Sequence, residues 1–235
     1  MAITQVSVAS NSGAVADPTV TIGSATVLAD DLIIAYCGTG SQSTPVLDVT
    51  TAGYTAVCAA LAGGGGFQDS LLVYKVAVGG EEDDVITFET DFSWSFVAGV
   101  VVLRGCDVST IWDVTPTHGT YHVVRDNDTT PSCVQITTLT DGAAVVAVTH
   151  LEDTVNTVTA VSSSRGGSTD VMNIVDANGE VSGLMTWEEI ASAGPIDNEH
   201  TYTSADTGAD AHTMVVAIKP ASAGGGPLIY AFAVG

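Results

Sequence analysis

ADDLIIAY, residues 29–36, and DGAAVVAV, residues 141–148, are the two stretches whose reading decides the fold. Each opens on acidic turn residues and runs straight into apolar ones. The first continues through Cys37, so Asp31–Cys37 is apolar after its leading aspartate. A run of this length, bounded by turn residues and rich in branched side chains, reads as a buried strand. Set side by side, the two stretches align Ala35 with Ala147.

Two further blocks repeat at nearly the same offset. LLVYKVAVGGEEDDVITF from Leu71 answers GLMTWEEIASAGPIDNEHTY from Gly183, with Tyr74 matching Trp187. AGVVVLRG from Ala98 answers HTMVVAIKP from His212, with Leu103-Arg104 matching Ile218-Lys219. A steady offset across three blocks is the mark of duplication. The reading is two similar halves, residues 1–116 and 117–220, followed by a C-terminal linker and arm over 221–235. Whether the halves make one sandwich or two is open at this level.

The remaining pattern is also β. Ser70–Ala77 and Val85–Phe88 read as strands, and Ser93–Leu103 as a long strand broken by Gly99. Trp187–Ala193 resembles a helix in composition, yet Met185–Ile190 fits a strand equally well. Gly, Pro, Asn and Asp punctuate at short intervals, as in sandwiches and jelly rolls. The expected fold class is therefore all-β, a jelly-roll-like β-sandwich built from two similar halves. The N-terminal arm, Met1–Asn11, carries Ile3, Val6 and Val8 and reads as a strand or an extended contact.

Charge narrows the function. Of 235 residues, 27 are acidic and five are Lys or Arg, giving a formal charge of −22. Phosphate backbones and anionic lipids are bound by basic patches, so this balance predicts no nucleic-acid or membrane partner. No apolar run approaches the roughly 18 residues of a bilayer span. MAITQVSVAS lacks the basic and apolar segments of a secretory signal. The acidity itself reads as solubility.

Catalytic and metal signatures are scarce. There is no G-x-S-x-G elbow, H-E-x-x-H pair or phosphate-binding glycine loop. Gly63–Gly66 lacks the following Lys-Ser/Thr and reads as a loop. His118 and His122 fall on a strand pattern, where four residues separate side chains by about 13 Å. That is too far for one ion with Zn–N bonds of about 2 Å. His150, His200 and His212 stand alone in sequence. Glu81-Glu82-Asp83-Asp84 lacks EF-hand spacing and reads as a solvated hairpin turn rather than a Ca²⁺ loop. Asn127-Asp128-Thr129 is a sequon by pattern only. Cys37, Cys58, Cys106 and Cys133 have no C-x-x-C spacing and read as small buried hydrophobes, with a Cys37–Cys58 bridge left open. The reading assigns no enzyme activity, no catalytic residue, no metal and no cofactor.

The order of short motifs carries a resemblance. It runs Asp31–Ala35, Gly53-Tyr54-Thr55, Gly63–Gly66, Val73–Ala77, Glu81–Asp84 and Ile86-Thr87-Phe88. It continues through Leu103–Asp107, Ile111-Trp112-Asp113, Thr130–Thr137 and Val216–Pro220. Over roughly residues 17–220 this resembles a family of tailed-phage and prophage structural proteins with jelly-roll-like sandwiches. Tyr54, Trp112 and Cys106 depart from the family's tryptophan, proline and valine, at positions that read as structural. The resemblance implies a virion component, foremost a capsid decoration or cement protein on the outer head surface. Its implied partners are the major capsid protein and copies of itself, as a trimer. The alternatives are a tail, baseplate or fibre protein contacting the host, and a carbohydrate-binding sandwich. The second would need an exposed aromatic strip, for which Trp112, beside the loop Asp107–Thr110, is the candidate contact.

The chain's last stretch stands outside the repeat. Ala221–Gly226 is a small-residue linker. Leu228, Ile229, Tyr230, Phe232 and Val234 then form an uncharged strand pattern. An exposed strand of this kind is an aggregation hazard unless it pairs with an edge. These residues are the expected partner- or capsid-binding arm.

Overall fold

The structure is a computed structural model. It describes residues 1–40, 47–62, 67–90, 93–116, 121–124, 135–152, 158–160, 168–176, 181–196, 200–202 and 211–222. The described residues are all-β: antiparallel sheets packed on one another as a β-sandwich, with no helix. The first half supplies β1 (Thr4–Val15), β2 (Thr19–Thr21), β3 (Ala29–Thr39) and β4 (Asp48–Val49). It continues with β5 (Thr55–Ala62), β6 (Phe67–Val78), β7 (Val85–Glu89) and β8 (Trp94–Arg104). The next five are β9 (Trp112–Val114), β10 (Tyr121–Val124), β11 (Ile136–Thr138), β12 (Ala143–Glu152) and β13 (Val158–Ala160). The last five are β14 (Thr169–Val175), β15 (Val181–Ile190), β16 (Gly194–Ile196), β17 (His200–Tyr202) and β18 (Ala211–Ile218).

Two large sheets dominate. One has the order β1-β8-β3-β6-β5, the other β10-β18-β12-β15-β14 with β9 also paired to β18. Three small sheets accompany them: β2-β7-β4, β11-β16 and β13-β17. The pairing is nested, with β1 beside β8, β2 beside β7 and β3 beside β6. The second large sheet repeats the order of the first when β12 is set on β3, β15 on β6 and β18 on β8. β9 and β10 then share the edge place that β1 holds alone, because both pair with β18.

This layering explains why the deciding run is apolar throughout. Successive side chains of a strand point to opposite faces. From β3, Leu32, Ile34 and Tyr36 face the second large sheet and pack with Val146, Val148, Met185, Met214 and Val216. Ile33, Ala35 and Cys37 face the other way, onto Val20, Leu47, Ile86 and Phe88 under the small sheet β2-β7-β4. β12 is used the same way, with Val145 and Ala147 packing on Ile136 and Ile196. A strand covered on both faces has no solvent side to mark with polar residues.

The large sheets meet along an approximate two-fold relation. β14 lies against β1, and its counterpart β5 lies against β10. Tyr74 on β6 meets Trp112 on β9 edge-on, ring centres 5.2 Å apart. Its counterpart Trp187 on β15 donates Nε1–H to Gln5 Oε1 on β1 at 2.6 Å. Such reciprocity is what a two-fold interface requires. At the centre, Gly38 and His150 are counterparts that touch. A Cβ built on Gly38 would lie 2.6 Å from Tyr36 Oη and 2.8 Å from His150 Cδ2. The missing side chain of one half is the space its counterpart's ring occupies.

Two sequence expectations change here. Gly99 does not break its strand; β8 pairs with β1 and β3 on both sides of it, and the one register shift against β1 falls at Gln5–Ser7. A side chain there would press on Met172 Cβ at 3.0 Å, so the glycine serves sheet-on-sheet approach rather than a turn. The Glu81–Asp84 turn is not wholly solvated: Glu81 is only 3% exposed. Its carboxylate accepts the N–H of Val78 at 2.7 Å and of Gly79 at 2.8 Å, and pairs with Lys75 at 3.3 Å.

Candidate functional site

Chemistry-bearing side chains gather at one end of the sandwich, where β8 and β18 finish and the chain's first and last described residues meet. Arg104 closes β8. Its guanidinium grips Asp31 with two bonds, Nε to Oδ1 at 2.8 Å and Nη2 to Oδ2 at 2.7 Å. Asp31 is 1% exposed and also accepts the Leu28 N–H at 2.8 Å. A forked, charge-assisted pair on a buried carboxylate fixes orientation as well as charge. The hydrogen bond to Asp31 raises the Arg104 pKa further. Its Nη2 also donates to the Thr26 carbonyl at 3.2 Å.

Gly105 follows with φ +89°, and a Cβ there would lie 2.5 Å from the Ala2 carbonyl oxygen. Both the left-handed turn and the close approach demand glycine. The turn delivers Asp107, whose Oδ1 accepts from the Ser109 hydroxyl at 2.6 Å and from the Ser109 and Thr110 N–H groups. The Ser109 hydroxyl is the foremost of the contacts that hold its carboxyl below the ordinary range. Asp107 Oδ2 faces Lys219 Nζ at 3.4 Å. Backbone bonds knit the same place: Asp107 N–H to Lys219, Lys219 N–H to Ile111 and Ala221 N–H to Gly105. The Met1 ammonium donates to the Ala221 carbonyl at 2.8 Å.

Between these segments lies an open cleft of about 420 Å³, lined by Leu28, Asp30, Arg104, Val108, Ser109 and Ser222 among others. That volume lies within the range of ligand pockets. Arg104 and Asp31 are committed to each other there, and Asp107 to Lys219 and the Ser109 hydroxyl. Cys106, near the cleft, is buried, and burial foremost, with Asp31 second, pushes its thiol up to about 12. At neutral pH it stays an unreactive thiol. The arrangement ties Met1 and the Lys219–Ala221 segment to the end of β8.

The sequence candidates fall as follows. Leu228, Ile229, Tyr230, Phe232 and Val234 lie outside the described residues, as do Gly63–Gly66, His118, Asn127 and Cys133. Trp112 is half-buried against Tyr74, part of the seam between the large sheets. Tyr54 lies under Lys75 Nζ, 5.8 Å from the ring centre. His150 is buried in the central core. Cys37 and Cys106 are free and buried, and burial raises the Cys37 thiol strongly. Among the described residues, no group of three or more His, Cys, Asp and Glu is placed to hold a metal ion. No helix among them is long and apolar enough to cross a membrane.

Sequence reasoning passed over the Arg104–Asp31 clamp. The signal was available: five cations in such an acidic chain make each one's partner worth asking for. Compared with known proteins, the chain matches no family model, no curated protein and no solved structure.

Proposed function

We propose that this is a non-enzymatic structural protein of a bacteriophage virion, a decoration protein seated on the outer capsid surface and held there partly through its C-terminal arm. The observation that supports this most is the nested strand order occurring twice. Pairing β1 with β8, β2 with β7 and β3 with β6 resembles the nesting expected of a jelly roll, a fold used by viral capsid and lectin domains. Fold analogy alone does not name a function, and three further features support the same reading. The motif order resembles phage structural proteins. The strongly acidic surface suits the outside of a particle, away from packaged DNA. The ion pairs at the candidate site read as structural ties between neighbouring segments. Trp112 and Trp187 are half-buried in the seam, which disfavours an aromatic sugar platform built from them.

The test is location. Virus-like particles released by cells making this protein are purified, labelled with an antibody to it and imaged by cryo-electron microscopy. Density distributed over the head supports the reading. Labelling confined to the tail tip moves the protein to the host-contact class, and unlabelled particles overturn the virion reading.

A further inference from the structure

Resting on that reading, we propose that residues 228–234 of one copy add as a strand to the free edge of β1 in a second copy. β1 ends its sheet, and its only strand partner among the described residues is β8. No backbone hydrogen bond is made on its outer side among the described residues. The edge is twelve residues long, and no charged side chain occurs from Ala2 to Ala16. Edge strands are normally blunted by charge, proline or brevity. Thr4–Val15 carries none of these, and its one bulge, at Gln5–Ser7, leaves Ser7–Val15 in regular register, so that stretch is suited to strand addition.

The occupant follows from chain geometry. Ala221 is held by the Met1 ammonium, so the chain leaves Ser222 beside the Thr4 end of β1. The described strand pairs are antiparallel throughout. To lie antiparallel on its own β1 with Val234 opposite Thr4, the arm would place Leu228 opposite Ser10. That is about 20 Å up the strand at 3.3 Å per residue, and the chain must then reverse. The six steps from Ser222 to Leu228 reach about 22 Å fully extended, which leaves nothing for the reversal. A second copy places its exit wherever the interface sets it, and the Gly224–Gly226 linker supplies the swing.

The test uses the purified chain without particles, so its outcome is independent of where the protein sits in a virion. Mass is measured by light scattering, and amide exchange along β1 by mass spectrometry. The full chain is expected to be an oligomer with Thr4–Val15 protected. Removing residues 223–235 should reduce the mass to that of one chain. It should also speed exchange at the outward amides of β1 by tenfold or more, with β3 and β12 unchanged. The full-length variant I229K/F232K should behave like the truncation, which separates loss of pairing from loss of fold. A monomeric full chain with β1 protected would mean pairing within one chain and overturns the proposal. An oligomer whose mass and β1 protection survive both changes overturns it too.

Discussion

Arg104 and Lys219 hold equivalent places, at the end of β8 and just past β18, and do different work. Arg104 reaches back within its own half and clamps a carboxylate with almost no solvent access. Lys219 reaches across to Asp107, in the segment that follows the first half's last strand, through one longer contact in solvent. One cation closes a half and the other links the two. Equal positions in two repeated strand orders need not keep equal tasks, because the planar fork of arginine and the single ammonium of lysine suit different partners.

The sharpest way to break this contrast is to remove each cation in turn. Arg104→Ala leaves the buried Asp31 carboxylate without its forked partner and should cost about 2 kcal/mol, as for a charged hydrogen bond lost at a buried group. Lys219→Ala should leave the denaturation midpoint nearly where it is, since exposed pairs contribute little. Urea unfolding of both variants decides it, and equal losses would erase the distinction. Arg104→Lys should not restore the lost stability.

The central contact between counterparts gives a second effect of similar size. Gly38→Ala puts a methyl group into space held by His150 and the Tyr36 hydroxyl, and should cost about 2 kcal/mol, typical of overpacking. Combined with His150→Ala, it should cost clearly less than the two single losses together. Strict additivity would mean that the two positions do not share the space.

The smallest effect concerns pH and a carboxylate of the first half. Burial opposes the charge on Glu81, yet the Val78 N–H, Lys75 and the Gly79 N–H outweigh it and hold the carboxyl below its ordinary value of 4.5. A carboxyl depressed in the folded chain adds stability that is present above 4.5 and lost as pH falls through the depressed value. Glu81→Gln should therefore destabilise by about 1 kcal/mol at neutral pH. The difference from the parent should shrink as pH drops from about 5 towards 3. A gap that stays constant over that window would remove Glu81 from the acid response.

What the sequence made legible was the strands buried on both faces. Asp31–Cys37 and Ser70–Ala77 lie inside β3 and β6 because long apolar runs leave few other readings, and Val85–Phe88 lies inside β7 because its alternation matches a strand with one buried face. The helix-like composition around Trp187 gave way to β15, where Trp187 pairs with Val146 in register. β2 and β4 were not legible, since two or three residues carry no periodicity. Gly99 was misread because a glycine that admits a neighbouring sheet looks, in one dimension, like one that ends a strand. Glu81 was misread because four consecutive acids suggest solvent, while only the folded hairpin turns one of them inward. The Arg104–Asp31 clamp spans 73 residues, a separation at which spacing says nothing. The arm residues Leu228–Val234 lie outside the described residues.

The shared central core also imposes a timetable. Leu32, Ile34, Tyr36, Leu72 and Val101 are covered only when the second large sheet arrives. At ribosomal rates of about 5–20 residues per second, the second half follows the first by roughly 5–20 s. Through that interval the partners that cover the inner face of the first half are not yet made, whereas those of its outer cluster, Phe88 and Ile86 among them, already are. The acidic side chains it already carries are the protection then available against sticking to a neighbouring nascent chain.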